Sequence, residues 1–213
     1  MTLLLDTKAR VLQTSDGQVF NPASRTWRRG AEGRTGDPVS LPRAVAWLQG
    51  ESGSPSRVPI AIIGPREARD DQLEAAATVG AGLAGLQLTV ICGGRQGVME
   101  AACRGVELAG GISVGILPDD SPSAANPYVT IPIATGIGIA RNAIIARSAL
   151  CLVAVGGGYG TISEVALSLQ FEKPVFTLLG GPDIPGVRPC DNPEMAIDFV
   201  LRVVLGLPPN DEL

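Results

Sequence analysis

The chain contains no histidine, which removes every mechanism built on an imidazole base. Its four cysteines, Cys92, Cys103, Cys151 and Cys190, stand far apart without C-x-x-C spacing, so no zinc site or other metal centre is expected. Acid–base work is left to carboxylates or bound water. There is no Lys/Arg-rich tract, and a net charge of −4 offers little grip on a phosphodiester backbone, so a nucleic-acid partner is not expected. Leu3-Leu4-Leu5 is too short for a signal peptide or a membrane span. Cys92 and Cys151 end apolar runs, where reduced buried thiols are the default, and the expected location is cytoplasmic. No G-x-G-x-x-G follows the first strand of the main domain and no Walker lysine occurs, which disfavours a dinucleotide enzyme and a P-loop NTPase.

What is present divides the 213 residues in two. Residues 1–57 predict an appendage: a β-hairpin from Met1–Leu12 and Gln18–Trp27 around the turn Ser15-Asp16-Gly17, a link over Arg28–Pro38, and a short helix over Leu41–Leu48. Residues 58–213 hold the main domain. Short apolar runs at Pro59–Gly64, Leu88–Cys92, Ile112–Leu117, Tyr128–Ile133, Leu150–Val155 and Pro174–Leu179 alternate with helical stretches at Asp70–Leu86, Gly97–Ala109, Gly138–Ser148 and Thr161–Glu172. Continuous apolar strands alternating with helices predict an α/β fold, a Rossmann-like doubly wound parallel sheet that binds its ligand at the carboxyl ends of the strands.

Three glycine-bearing turns follow strands and should open on that rim: Gly64-Pro65-Arg66, the turn holding Gly93, Gly94 and Gly97, and Gly156-Gly157-Gly158-Tyr159-Gly160-Thr161. The last is the strongest signal. A stretch without side chains between a buried strand and a helix exposes backbone N–H groups and the positive helix end to an anion, so it predicts a phosphate cradle. Thr161 adds a hydroxyl, and Glu164, one turn on, sets a carboxylate beside the same mouth. Arg141 stands near the start of the predicted Gly138–Ser148 helix, where its charge opposes the helix dipole, so an anion is expected to face it. Arg95 and Gln96 face either ligand or solvent. Glu100 fits a dipole-favoured helix start, and Tyr128 and Tyr159 fit either ring stacking or packing.

Taken together, Gly93-Gly94-Arg95-Gln96-Gly97-Val98-Met99, Arg141 and Gly156–Glu164 resemble the LOG superfamily, which holds cytokinin-activating phosphoribohydrolases and molybdenum-cofactor carrier proteins. Gly157, Gly158, Gly160, Thr161 and Glu164 match the P-G-G-x-G-T-x-x-E motif, in which the resemblance makes Arg141 and Glu164 the catalytic pair if the protein is a hydrolase. Gly156 replaces the motif's proline, and Asn142 replaces the lysine that follows the arginine. The wider run through Gly115-Ile116-Leu117-Pro118, Asn126-Pro127-Tyr128 and Thr135–Asn142 is closer to the carrier branch. The resemblance implies a homodimer that binds a phosphate-bearing small molecule without needing a cofactor of its own, the molybdenum cofactor being a possible cargo. The alternative is hydrolysis of a nucleoside 5′-monophosphate to free base and ribose 5-phosphate.

Overall fold

The structure is a computed structural model describing residues 2–30 and 36–208. It comprises two units, one running to Ser56 and taking in the chain from Asp198 onward, the other spanning Arg57–Ile197.

In the first unit, β1 (Leu3–Asp6), β2 (Val11–Thr14), β3 (Gln18–Asn21), β4 (Thr26–Arg29) and β5 (Asp37–Val39) form an antiparallel sheet in the order β4-β3-β2-β1-β5. The expected single hairpin is therefore one part of a five-stranded sheet. Both long segments of that hairpin break, and by the same device. Asp6 Oδ1 accepts hydrogen bonds from the backbone of Lys8 (3.0 Å) and Ala9 (2.8 Å), and the chain reverses through Arg10 at φ 55°. Asn21 Oδ1 does the same for Ala23 (3.0 Å) and Ser24 (3.2 Å), with Arg25 at φ 53°. A short polar side chain that mimics a backbone turn outcompetes strand continuation at both places. The helix α1 (Leu41–Gly50) starts at Ser40, whose hydroxyl accepts from Arg43 N–H, and buries Ala44, Val45, Trp47 and Leu48.

The second unit begins with β6 (Ile60–Ile63), α2 (Asp70–Gly85), β7 (Val90–Cys92), α3 (Val98–Leu108) and β8 (Ser113–Leu117). It continues with β9 (Ile131–Ala134), α4 (Asn142–Ser148), β10 (Leu152–Val155), α5 (Tyr159–Gln170), β11 (Val175–Leu178), β12 (Val187–Pro189) and the start of α6 (Pro193–Val204). The seven strands are all parallel, in the order β12-β11-β10-β6-β7-β8-β9. This is the expected Rossmann-like sheet: β6, β10 and β11 are buried along their whole length, the pattern of a sheet covered on both faces. The winding reverses at β6, which has β7 on one side and β10 on the other, and such a switch point opens a crevice at the strand ends.

Three stretches differ from expectation. The Gly138–Ser148 helix divides into a 3-10 turn, Gly138–Arg141, followed by α4; Gly136 and Gly138 at φ 65° and 60° hold its entry in a non-helical path. The strand expected from Tyr128 starts at Ile131, because Asn126 Oδ1 accepts from Tyr128 N–H (3.1 Å) and keeps that segment in a turn. The elements β12 and α6 lie beyond the last predicted strand.

Candidate functional site

Because the strands are parallel, the turns after β6, β7 and β10 share one rim. Gly64, after β6, sits where a Cβ would meet the Val155 carbonyl and the Val98 side chain, so its glycine lets β6, β10 and α3 close on one another. Gly97 precedes α3 at φ 72°, and a Cβ there would meet the backbone oxygens of Pro65 and Arg66. Gly94 lies at φ 68°. Gly93 is buried and gives room to Arg141, whose guanidinium occupies the place a side chain would take.

The turn after β10 is built differently. Gly156 has φ 63°, so proline, locked near φ −65°, cannot stand there without remaking the turn. The Gln72 amide packs over Gly156 and donates to the Leu179 carbonyl (2.9 Å), while its oxygen accepts from Arg69 N–H (3.1 Å). Gly157 faces Pro182, and Gly158 precedes α5 in extended backbone with nothing within 4 Å of a would-be Cβ. No side chain caps α5. Its first-turn N–H groups at Tyr159, Gly160 and Thr161 lack intrahelical partners by construction, which leaves an anion-ready end beside open space. Tyr159 is 95% exposed, whereas Thr161 is buried.

Arg141 and Glu164 meet within this rim. Arg141 Nη1 donates to Glu164 Oε1 at 3.0 Å, and both side chains are almost fully buried. Burial pushes the Glu164 carboxyl up to about 7 from 4.5, against the pull of Arg141. Arg141 Nε is buried without a hydrogen-bond partner. Asn142 ties the pair to the cradle: its Oδ1 accepts from Arg141 Nη1, and its Nδ2 donates to Ser163 Oγ (2.8 Å), which donates to the Gly160 carbonyl (2.7 Å). The lysine expected by the motif would bring a second cation here, whereas asparagine supplies both an acceptor and a donor.

The structure thus brings Arg141, Asn142, Gly160, Ser163 and Glu164 into one hydrogen-bonded set. Arg95 is turned away into its own pair, with Nη1 on Asp119 Oδ2 (2.9 Å) and on the Ala124 carbonyl (3.1 Å), while Gln96 is exposed. Gln72 and Ser163 escape sequence reasoning, since a polar residue in the first turns of a helix has no distinguishing spacing. Asn142 is visible only as a departure from the motif. Arranged this way, the rim can hold an oxyanion on α5 and set a buried guanidinium–carboxylate pair beside it.

Residues 57–195 match the SLOG cluster4 family. An uncharacterised protein of Archaeoglobus fulgidus is 40% identical over 142 residues, 67% of this chain and 93% of its own length. The molybdenum cofactor binding protein of the phototrophic bacterium Rippkaea orientalis is similar in structure, with a TM-score of 0.66 and 34% identity over 70% of this chain and 98% of that one. The molybdenum cofactor carrier protein of Chlamydomonas reinhardtii is also similar, with a TM-score of 0.63 and 38% identity over 68% of this chain and 98% of that one. The family match falls on the unit that carries the switch-point rim, and the chain belongs to the SLOG cluster4 family.

Proposed function

We propose that the protein binds a phosphate-bearing small molecule on the first turn of α5 as a carrier, with the molybdenum cofactor as its cargo. The observation that carries this reading is the uncapped, open helix end at Gly158–Thr161 on the switch-point crevice. The similar proteins of Rippkaea orientalis and Chlamydomonas reinhardtii, named for binding or carrying that cofactor, support the choice of cargo. A phosphate ester on the α5 amides would leave its ring system near exposed Tyr159, which offers an aromatic face. Mass spectrometry of small molecules that co-purify with the protein tests it. A pterin phosphate retained by wild type and lost in Gly158→Val is the expected result; equal retention by both would place the ligand elsewhere.

A second reading, hydrolysis of the N-glycosidic bond of a nucleoside 5′-monophosphate, is favoured by the buried Arg141–Glu164 pair. In that reaction ionised Glu164 would stabilise oxocarbenium-like charge and Arg141 would hold ligand and carboxylate together. With asparagine at 142, the carrier reading predicts no base release from AMP. Robust release that collapses in Glu164→Gln would establish the hydrolase instead.

Both readings include a homodimer. Ile137, Ile139 and Ile144 on and before α4, and Leu108 on α3, are large apolar side chains left exposed. Sedimentation at micromolar concentration is expected to give twice the chain mass, and Ile139→Lys to shift it to the monomer.

A further inference from the structure

Three sulfur-bearing side chains, unused by the proposed function, converge beneath the turn after β7. Cys92 ends β7; Met99 and Cys103 lie four residues apart on α3 and so share one face of that helix. The two thiols touch, with Sγ···Sγ at 3.5 Å, and both are wholly buried. With Met99 they make a separate buried cluster, packed against Tyr128 and Val129 and apart from the main aliphatic core. The Met99 sulfur and the Arg141 guanidinium both stand where a Cβ on Gly93, next to Cys92 in the chain, would lie.

We propose that Cys92, Cys103 and Met99 form a binding site for a soft monovalent metal ion, copper(I). Two thiolates and a thioether select such an ion over hard cations, which take oxygen ligands. A structural zinc ion calls for four nitrogen or sulfur ligands, and no group of three or more His, Cys, Asp or Glu gathers among the described residues. Binding replaces two S–H bonds with two Cu–S bonds and releases two protons, while the metal stays in the +1 state. The resulting site carries one net negative charge. Tyr128 covers the sulfur cluster and also lines, with Gly97, Glu100, Ala101 and Arg104, a cavity of about 230 Å³.

The test uses the full chain, reduced and anaerobic, titrated with copper(I) held by bicinchoninate. Wild type is expected to withdraw one equivalent per chain, develop a thiolate-to-copper charge-transfer band, and give a sulfur-only coordination shell by X-ray absorption. Cys103→Ala is expected to abolish the uptake. Met99→Leu, which preserves packing volume, is expected to weaken it by about tenfold, as for loss of a weak or supporting ligand. Cys151→Ala and Cys190→Ala should behave as wild type. Wild type that withdraws no copper overturns the proposal whatever the variants do, and so does uptake that survives Cys103→Ala but is lost in Cys151→Ala or Cys190→Ala.

Discussion

In the turn after β7, a methyl group on Gly97 would meet the carbonyl oxygens of Pro65 and Arg66, and one on Gly93 would meet Arg141. In the turn after β10, a methyl group on Gly158 would meet nothing, and one on Gly160 would only approach Asn142. Both turns link a buried strand to a helix on the same rim. Gly93 and Gly97 in the first turn permit close packing, with a left-handed backbone at Gly97; in the second turn Gly156 is likewise left-handed and packed against Gln72, and it is Gly158 and Gly160 that keep amides open to solvent. A glycine-rich turn is therefore two signals in one, and only its neighbours separate them.

That contrast breaks most visibly at Gly97. Gly97→Ala combines strain at positive φ, about 1–3 kcal/mol, with overpacking of similar size, so chemical denaturation should show a loss of about 4 kcal/mol. A second, somewhat smaller effect belongs to Glu164. Its folded value of about 7 lies above 4.5, so the folded state binds the extra proton between those values and stability falls as pH rises through that window. Urea midpoints measured across the window should register a fall of at most about 3 kcal/mol, absent in Glu164→Gln. The smallest effect on folding is expected at Gly158. Gly158→Val fits the extended backbone and should cost about 1 kcal/mol or less in the same unfolding assay, while blocking the α5 amides. If Gly158→Val unfolded the protein as Gly97→Ala does, the two turns would not differ in kind.

The parallel sheet is legible because β6, β10 and β11 are unbroken apolar runs, whose burial on two faces leaves little alternative. Arg141 and Glu164 are visible in the sequence through motif spacing, and in the structure they form an ion pair at 3.0 Å. The N-terminal sheet is less so, since the two extra turns rest on single side chains, Asp6 and Asn21, which read equally well as ordinary strand-end residues. The pattern D-T-K-A-R against N-P-A-S-R, each ending in an arginine at positive φ, was the available signal. The strand β12 is only three residues long and follows a glycine- and proline-rich stretch that reads as loop. Gln72 cannot be found at all without coordinates, because its partner Leu179 lies 107 residues away.

The central claim is that anion binding belongs to the open turn and not to the packed one. Backbone amide chemical shifts of the wild-type chain, followed while AMP is titrated in, test this directly. Saturable shifts centred on Gly158, Tyr159, Gly160 and Thr161, lost in Gly158→Val, are the predicted result. Shifts centred on Gly97 and the first turn of α3, unchanged in Gly158→Val, would contradict it.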